Sequence, residues 1–203
     1  MHRAMHDAVP APYDADICAD KTDDYRDIAN AASLLSRLEL KGIAVGDPWK
    51  EHGDLAERRA TDGCLAFDDL HYMLALCGGS RDAAAAGLIR RMQATRRVGN
   101  EAEAVIAHPG LHVATGHLAF SLGEYSNARA HLRGDRGDLQ SIGGSHAQRD
   151  VFDRITIEAA LRGGHVDAAE GLLRDRMTHR AGVAESYAQA RLTQIGALRQ
   201  QAT

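Results

Sequence analysis

Three stretches of the chain, residues 74–88 (LALCGGSRDAAAAGL), 118–132 (LAFSLGEYSNARAHL) and 159–173 (AALRGGHVDAAEGLL), obey one template: a glycine, an alanine five residues later and a leucine nine residues later. The matched columns are Gly79/Gly123/Gly164, Ala84/Ala128/Ala169 and Leu88/Leu132/Leu173, with Leu76/Phe120/Leu161 three residues before each glycine. That is the pattern of a repeated helix-turn-helix unit. A glycine ends the first helix because it alone takes the left-handed conformation at little cost, and the small alanine lets the second helix approach closely. The expected fold is all-α, with helix-turn-helix repeats stacked into a short solenoid. Repeats of this kind are surfaces for holding other molecules, so the pattern speaks to architecture and leaves the reaction, if any, to the individual side chains.

Composition agrees with a helical array. Of the 203 residues 44% are hydrophobic, enough for a core, while aromatic residues are only 4% and prolines only 4 in number, a balance that favours helix over sheet. A net charge of −4 supplies no long-range attraction for nucleic acid, and the pairs Arg90-Arg91 and Arg96-Arg97 read as a solvated helix face. No apolar run approaches the roughly 20 residues that span a bilayer, and His2, His6, Asp7, Asp14 and Asp16 stand where a signal peptide needs an apolar stretch. Neither nucleic acid nor membrane is an expected partner, and the expected location is the cytoplasm. The cysteines, Cys18, Cys64 and Cys77, lack metal-finger spacing and fit reduced thiols, with Cys64 and Cys77 expected in the core.

Residues 1–22, with Pro10, Pro12 and several aspartates, are expected to form a poorly ordered leader, and residues 23–200 the helical-repeat domain. Tyr25, Ile28, Ala31, Ala32, Leu35 and Leu38 recur at helical period and predict a first helix over 24–40. Pro48 opens a second helix to about residue 60. Further helices are predicted over 64–77, 81–97, 111–122, 125–133, 145–161, 166–177 and 185–198, with 134–144 as a glycine-rich loop. The template glycines lie 44 and 41 residues apart, from positions 79, 123 and 164. A standard tetratricopeptide unit spans ~34, so longer connections are expected here.

Gly123, Tyr125, Ala128 and Leu132 fall on the tetratricopeptide columns, whereas the other copies carry Arg81 or Val166 at the tyrosine position and none has the closing proline. The strings ANAASLLSRLELKGIAVGDPW (29–49), FDDLHYMLAL (67–76) and IGGSHAQRDVF (142–152) resemble the tetratricopeptide repeat protein 38 family over about residues 23 to 180. The match is to the C-terminal half of that longer family. The resemblance implies a tetratricopeptide-like fold and no particular reaction. Residues 1–20 and Arg133-Gly134-Asp135-Arg136-Gly137 depart from it. Without preceding repeats, the Ile28/Leu35 stripe is expected to be covered by the leader or by a second copy, a homodimer through the N-terminal helices.

Gly143-Gly144-Ser145-His146-Ala147-Gln148-Arg149-Asp150 is the most specific string. Ser145 and Gln148 have capping-box spacing; the functional alternative is an anion held by free amides with His146 and Arg149. Ser145 beside His146 gives poor geometry for a hydrolase, and the string is not a nucleophile elbow. Asp68 and His71 share a helix face, and with His146 and Asp150 would make a metal or acid-base centre if the fold brought them together. His108 and His112 are separated by Pro109-Gly110, which denies them a common helix face, and His112 and His117 lie about 140° apart on a helix. No catalytic residue, metal or cofactor is expected.

The leading expectation is therefore a non-enzymatic scaffold that binds a protein or peptide on a concave face lined by the first helix of each pair. Its contacts would be exposed Asp68, His71, His112, Asp153 and Glu158. The rival is a small-ligand (anion or metal) binder or enzyme using Ser145, His146 and Arg149 with His71. A third reading is a remnant that chiefly self-associates.

Overall fold

The computed structural model describes residues 24–95, 99–134, 137–180 and 185–201. The expected leader and Arg96-Arg97 lie outside these residues. The described chain is all-α: α1 (Tyr25–Leu40), α2 (Pro48–Arg59), α3 (Ala66–Gly78), α4 (Asp82–Thr95), α5 (Glu101–Val105), α6 (Leu111–Ser121), α7 (Tyr125–Leu132), α8 (His146–Arg162), α9 (Val166–His179) and α10 (Ser186–Gln201). These bounds match the periodicity within a few residues. Asp24 caps α1 by accepting from the Arg26 amide, and Pro48 begins α2, each satisfying or removing an otherwise orphaned N–H. The sequence reading missed α5 and the irregular turn Ile106–Gly110 that joins it to α6. A five-residue helix shows no periodicity, although its capping box between Asn100 and Glu103 was present to be read.

The three turns are built alike. The amides of Arg81, Glu124 and His165 donate back to the carbonyls of Leu76, Ala119 and Ala160 at 2.8, 2.9 and 2.8 Å, the bond that closes a left-handed helix end. The left-handed residues are Ser80, Gly123 and Gly164, with φ of 54°, 78° and 76°. In the first unit the template is thus out of register by one: Ser80, not Gly79, makes the turn. Five residues on stand Ala85, Ala128 and Ala169, all fully buried, so Ala85 replaces Ala84 as the contact position. Gly79 has a separate reason to be small. A Cβ there would sit 2.9 Å from the Trp49 carbonyl and 3.0 Å from Gly53 Cα, at the crossing of α2 and α3.

α1, α3, α6 and α8 form an inner layer. α1 packs against α3 on one side and α8 on the other, while α6 packs against α3 and meets α8. α2, α4, α7 and α9 cover them from outside, and α10 follows on α9. The inner helices are buried nearly all round: α3 from Ala66 to Leu76, α8 from Ile155 to Leu161. One core runs from α1 to α8, and a smaller one ties Ile157 and Leu161 to Leu173, Tyr187 and Ile195. The Ile28/Leu35 stripe, 1% and 0% exposed, lies against the chain's own α3 and α8, which removes the reason to expect a second copy on that stripe.

Candidate functional site

The residues singled out from sequence divide sharply. His71 is fully buried with its ring 4.3 Å from Phe67 and 5.3 Å from Phe152, and its Nδ1 meets the Phe67 carbonyl at 2.7 Å. Asp68 is 7% and Glu158 3% exposed, and only His112 of the expected contacts stands in solvent, with Asp153 between. The expectation that His71, Asp68 and Glu158 line an open face is corrected: closing α1 against both α3 and α8 puts the inner-helix surface into the core. His146 is exposed and His71 is sealed, so they do not meet. Asp150 is taken by Arg154 at 2.7 Å and by Arg176 and Arg180. No group of three or more His, Cys, Asp or Glu able to hold a metal occurs among the described residues. His108 and His112 do come together across the Pro109-Gly110 bend, with rings 5.3 Å apart. Cys64 is exposed, contrary to its expected core position, while Cys77 is partly buried.

Much of the GGSHAQRD string is engaged in local bonds, while His146 and Arg149 also line a groove with Arg176 and Arg180. Ser145 Oγ accepts from the Gln148 amide at 3.3 Å, Gln148 Oε1 accepts from the Ser145 amide at 2.8 Å, and Arg149 donates to the carbonyls of Gly143 and Gly144. Gln148 also donates to Asn30 at 3.1 Å and Arg37 to the Ala147 carbonyl at 2.9 Å, docking the start of α8 on α1. The string therefore makes a capping box and an interhelical joint.

A cavity of about 260 Å³ lies at the other end of the inner layer, where the C-terminal parts of α1, α3, α6 and α8 converge. Leu74, Ile155, Ser36 and His117 line its deep part, Trp49, Phe120 and Tyr125 its walls, and Glu39, Ser121 and Arg162 its mouth. Trp49 comes from α2, and Gly78 makes room for its indole, since a Cβ there would overlap the ring. The indole N–H donates to Glu39 Oε1 at 2.7 Å. The Arg162 guanidinium lies 5.0 Å over the Phe120 ring and 5.8 Å from that of Tyr125, a stacked cation–π arrangement. His117 is 7% exposed, and its Nδ1 has no hydrogen-bond partner. Burial alone pushes the His117 pKa down to about 4, so its imidazole is neutral at physiological pH. Sequence reasoning weighed His117 only as a metal partner of His112 and passed over Glu39 and Arg162. The available signal was the column three residues before the template glycine, Phe120 in the second copy, which marks where the inner helices end.

The buried ionisable groups also set a pH dependence. Burial pushes Asp68 up to about 6, with nearby Arg59 opposing, so the fold favours its protonated form: stability is gained as pH falls from about 6 toward 4 and is missing at neutral pH. His71, lowered to about 4 chiefly by burial, acts oppositely, as does His117, and stability is lost as pH falls from 6.5 toward 4. The two trends oppose each other, with Asp69, which burial also pushes up to about 6, on the side of Asp68. Asp68→Asn is expected to raise stability at pH 7 by about 1–2 kcal/mol, less than the full linkage value because the buried amide needs partners at a site where Asp68 Oδ1 has none. It should also make stability fall more steeply on acidification. Urea midpoints at pH 7 and pH 5 test this; an Asn variant less stable than wild type at pH 7 would refute it.

No protein-family model matches the chain, and no solved structure matches it.

Proposed function

We propose that the chain is a small-molecule-binding helical-repeat protein without catalytic machinery, acting in the cytoplasm. The supporting observation is His117: a polar side chain more than nine-tenths buried, in the wall of a cavity, with a ring nitrogen that no protein atom satisfies. Leaving a buried polar atom unpaired costs roughly 1–3 kcal/mol; Nδ1 is shut off from solvent in the unliganded fold, so a ligand offsets that cost by drawing the His117 ring round to face it. The cavity's apolar walls with a few polar groups are the usual make-up of a small-ligand site. In this reading the hairpins are divergent tetratricopeptide-like units of the tetratricopeptide repeat protein 38 kind, closed so that the inner face is filled. That closure favours a cavity ligand over a peptide laid on the inner helices. No helix of the described residues is long and apolar enough to cross a membrane, which agrees with the proposed location. A protein partner or a second copy would have to use the outer surface, and sedimentation at two concentrations tests self-association directly.

Trp49 is the only tryptophan of the chain, so its emission reports the cavity. A fragment library screened against it should yield compounds that shift the emission and raise the melting temperature together. Ser121→Phe, at the exposed mouth, should abolish both responses without lowering the unliganded melting temperature. If no fragment acts, or if Ser121→Phe changes nothing, the reading fails.

A further inference from the structure

Building on the cavity reading, we infer that the ligand is a free α-amino acid, held by Arg162 at its carboxylate and Glu39 at its ammonium, with its side chain between Trp49 and Phe120 and its tip at His117. The mouth carries one charge of each sign, and the two do not pair with each other. Among the described residues the ion pair of Arg162 is with Glu158 at 3.5 Å, through Nε, which leaves the two terminal nitrogens of its fork free. Glu158 is itself committed to Arg191 Nε at 2.5 Å and to the Tyr187 hydroxyl at 3.1 Å. Glu39 accepts from Trp49 through Oε1 only, so Oε2 stands open at the mouth. Both residues also line the shallower neighbouring groove beside α10, which places them on the threshold between cavity and solvent.

Stacking on two rings orients the Arg162 fork in advance, so little rotamer freedom is lost when it takes a carboxylate in bidentate fashion. The Trp49 bond fixes the Glu39 carboxylate in the same way. A simple anion would be drawn to Arg162 and repelled by Glu39, a simple cation the reverse; a zwitterion gains from both, which is how paired opposite charges discriminate. The ends of α3 and α6 have no basic residue in their last turn, so their partial negative charge adds to the pull on an ammonium. Below the mouth the walls are aromatic and the deep part holds neutral His117 and Ser36 beside Leu74 and Ile155, matching an aromatic side chain with a hydrogen-bonding tip. Tyrosine, whose ring ends in a hydroxyl, combines these two features.

Trp49 fluorescence and isothermal titration with each of the twenty L-amino acids test this on the full chain. L-tyrosine should bind, and tyramine, which lacks the carboxylate, and N-acetyl-L-tyrosine, which lacks the ammonium, should each bind at least about ten-fold more weakly, as expected for loss of a charge-assisted contact. Arg162→Gln should make tyrosine and tyramine equal, and Glu39→Gln should make tyrosine and N-acetyl-L-tyrosine equal, with circular dichroism unchanged. Equal binding of L-tyrosine and p-cresol, blocked by Ser121→Phe, would overturn the amino-acid assignment and leave the cavity reading intact. Failure of all twenty amino acids while neutral fragments bind would do the same. Absence of binding by amino acids and fragments alike would overturn both.

Discussion

Arg176→Ala should destabilise the protein by roughly 3–5 kcal/mol, the cost of breaking a buried ion cluster by removing one partner. The Arg176 side chain is 1% exposed and lies among three carboxylates. It bonds Asp150, reaches Asp153 at 3.1 Å, and donates through Nε to Glu185 at 2.8 Å. Burial pushes the Asp150 carboxyl up, and Arg176, Arg154 and Arg180 more than reverse that, holding it below the ordinary carboxylate value. Without Arg176 the remaining arginines are more exposed, and the acids repel one another inside a partly dry site. Because Asp150 and Asp153 sit on α8 while Glu185 precedes α10, the cluster ties the C-terminal helix to the inner layer. Chemical denaturation measures the loss, and hydrogen exchange in α10 should rise before that in α3. A change below about 1 kcal/mol would mean that water already screens these charges.

His71→Ala should lower stability by about 2–4 kcal/mol, whereas His112→Ala should stay within about 0.5 kcal/mol of wild type. His71 fills the centre of the inner layer between Phe67 and Phe152, so its removal leaves a cavity bounded by two rings. It also strips a hydrogen-bond partner from the Phe67 carbonyl, the first turn of α3. His112 is exposed on α6, with its ring edge-on to those of His108 at 5.3 Å and His131 at 6.4 Å. Thermal melts of the two variants separate core from surface directly. Equal melting temperatures would contradict the burial of His71. Sequence reasoning treated the two histidines as equivalent contacts, because each falls on the first helix of a hairpin.

Glu158 shows why such positions resist reading. In the sequence it is an isolated acid in an apolar stretch of α8, the usual sign of a solvent-facing residue. In the fold it is 3% exposed, paired with Arg191 and accepting from the Tyr187 hydroxyl, both of which come from α10, some thirty residues further on. Thr156, equally out of place in a core, donates to the Phe152 carbonyl within its own helix. Helices buried on every side carry no clean polar face, so their polar residues are assigned to solvent until their partners are known. The one-residue slip in the first repeat has a similar origin. Two consecutive glycines, Gly78 and Gly79, were needed for the Trp49 ring and the α2 crossing, and they drew the template away from the turn residue Ser80.

Local chemistry sufficed for the longer helices. Apolar period, Pro48, the Ser145/Gln148 capping box and the left-handed glycines at 123 and 164 depend on residues a few positions apart, and sequence alone determined them. The closure of α1 onto α8, the burial of Asp68 and His71, and the meeting of Glu39, Trp49, His117 and Arg162 around one cavity were decided only by the tertiary structure. An apolar stripe records that a face must be covered and says nothing of which distant helix covers it. The position of α8 against α1, across more than a hundred residues of chain, determines both what is sealed and what is left open.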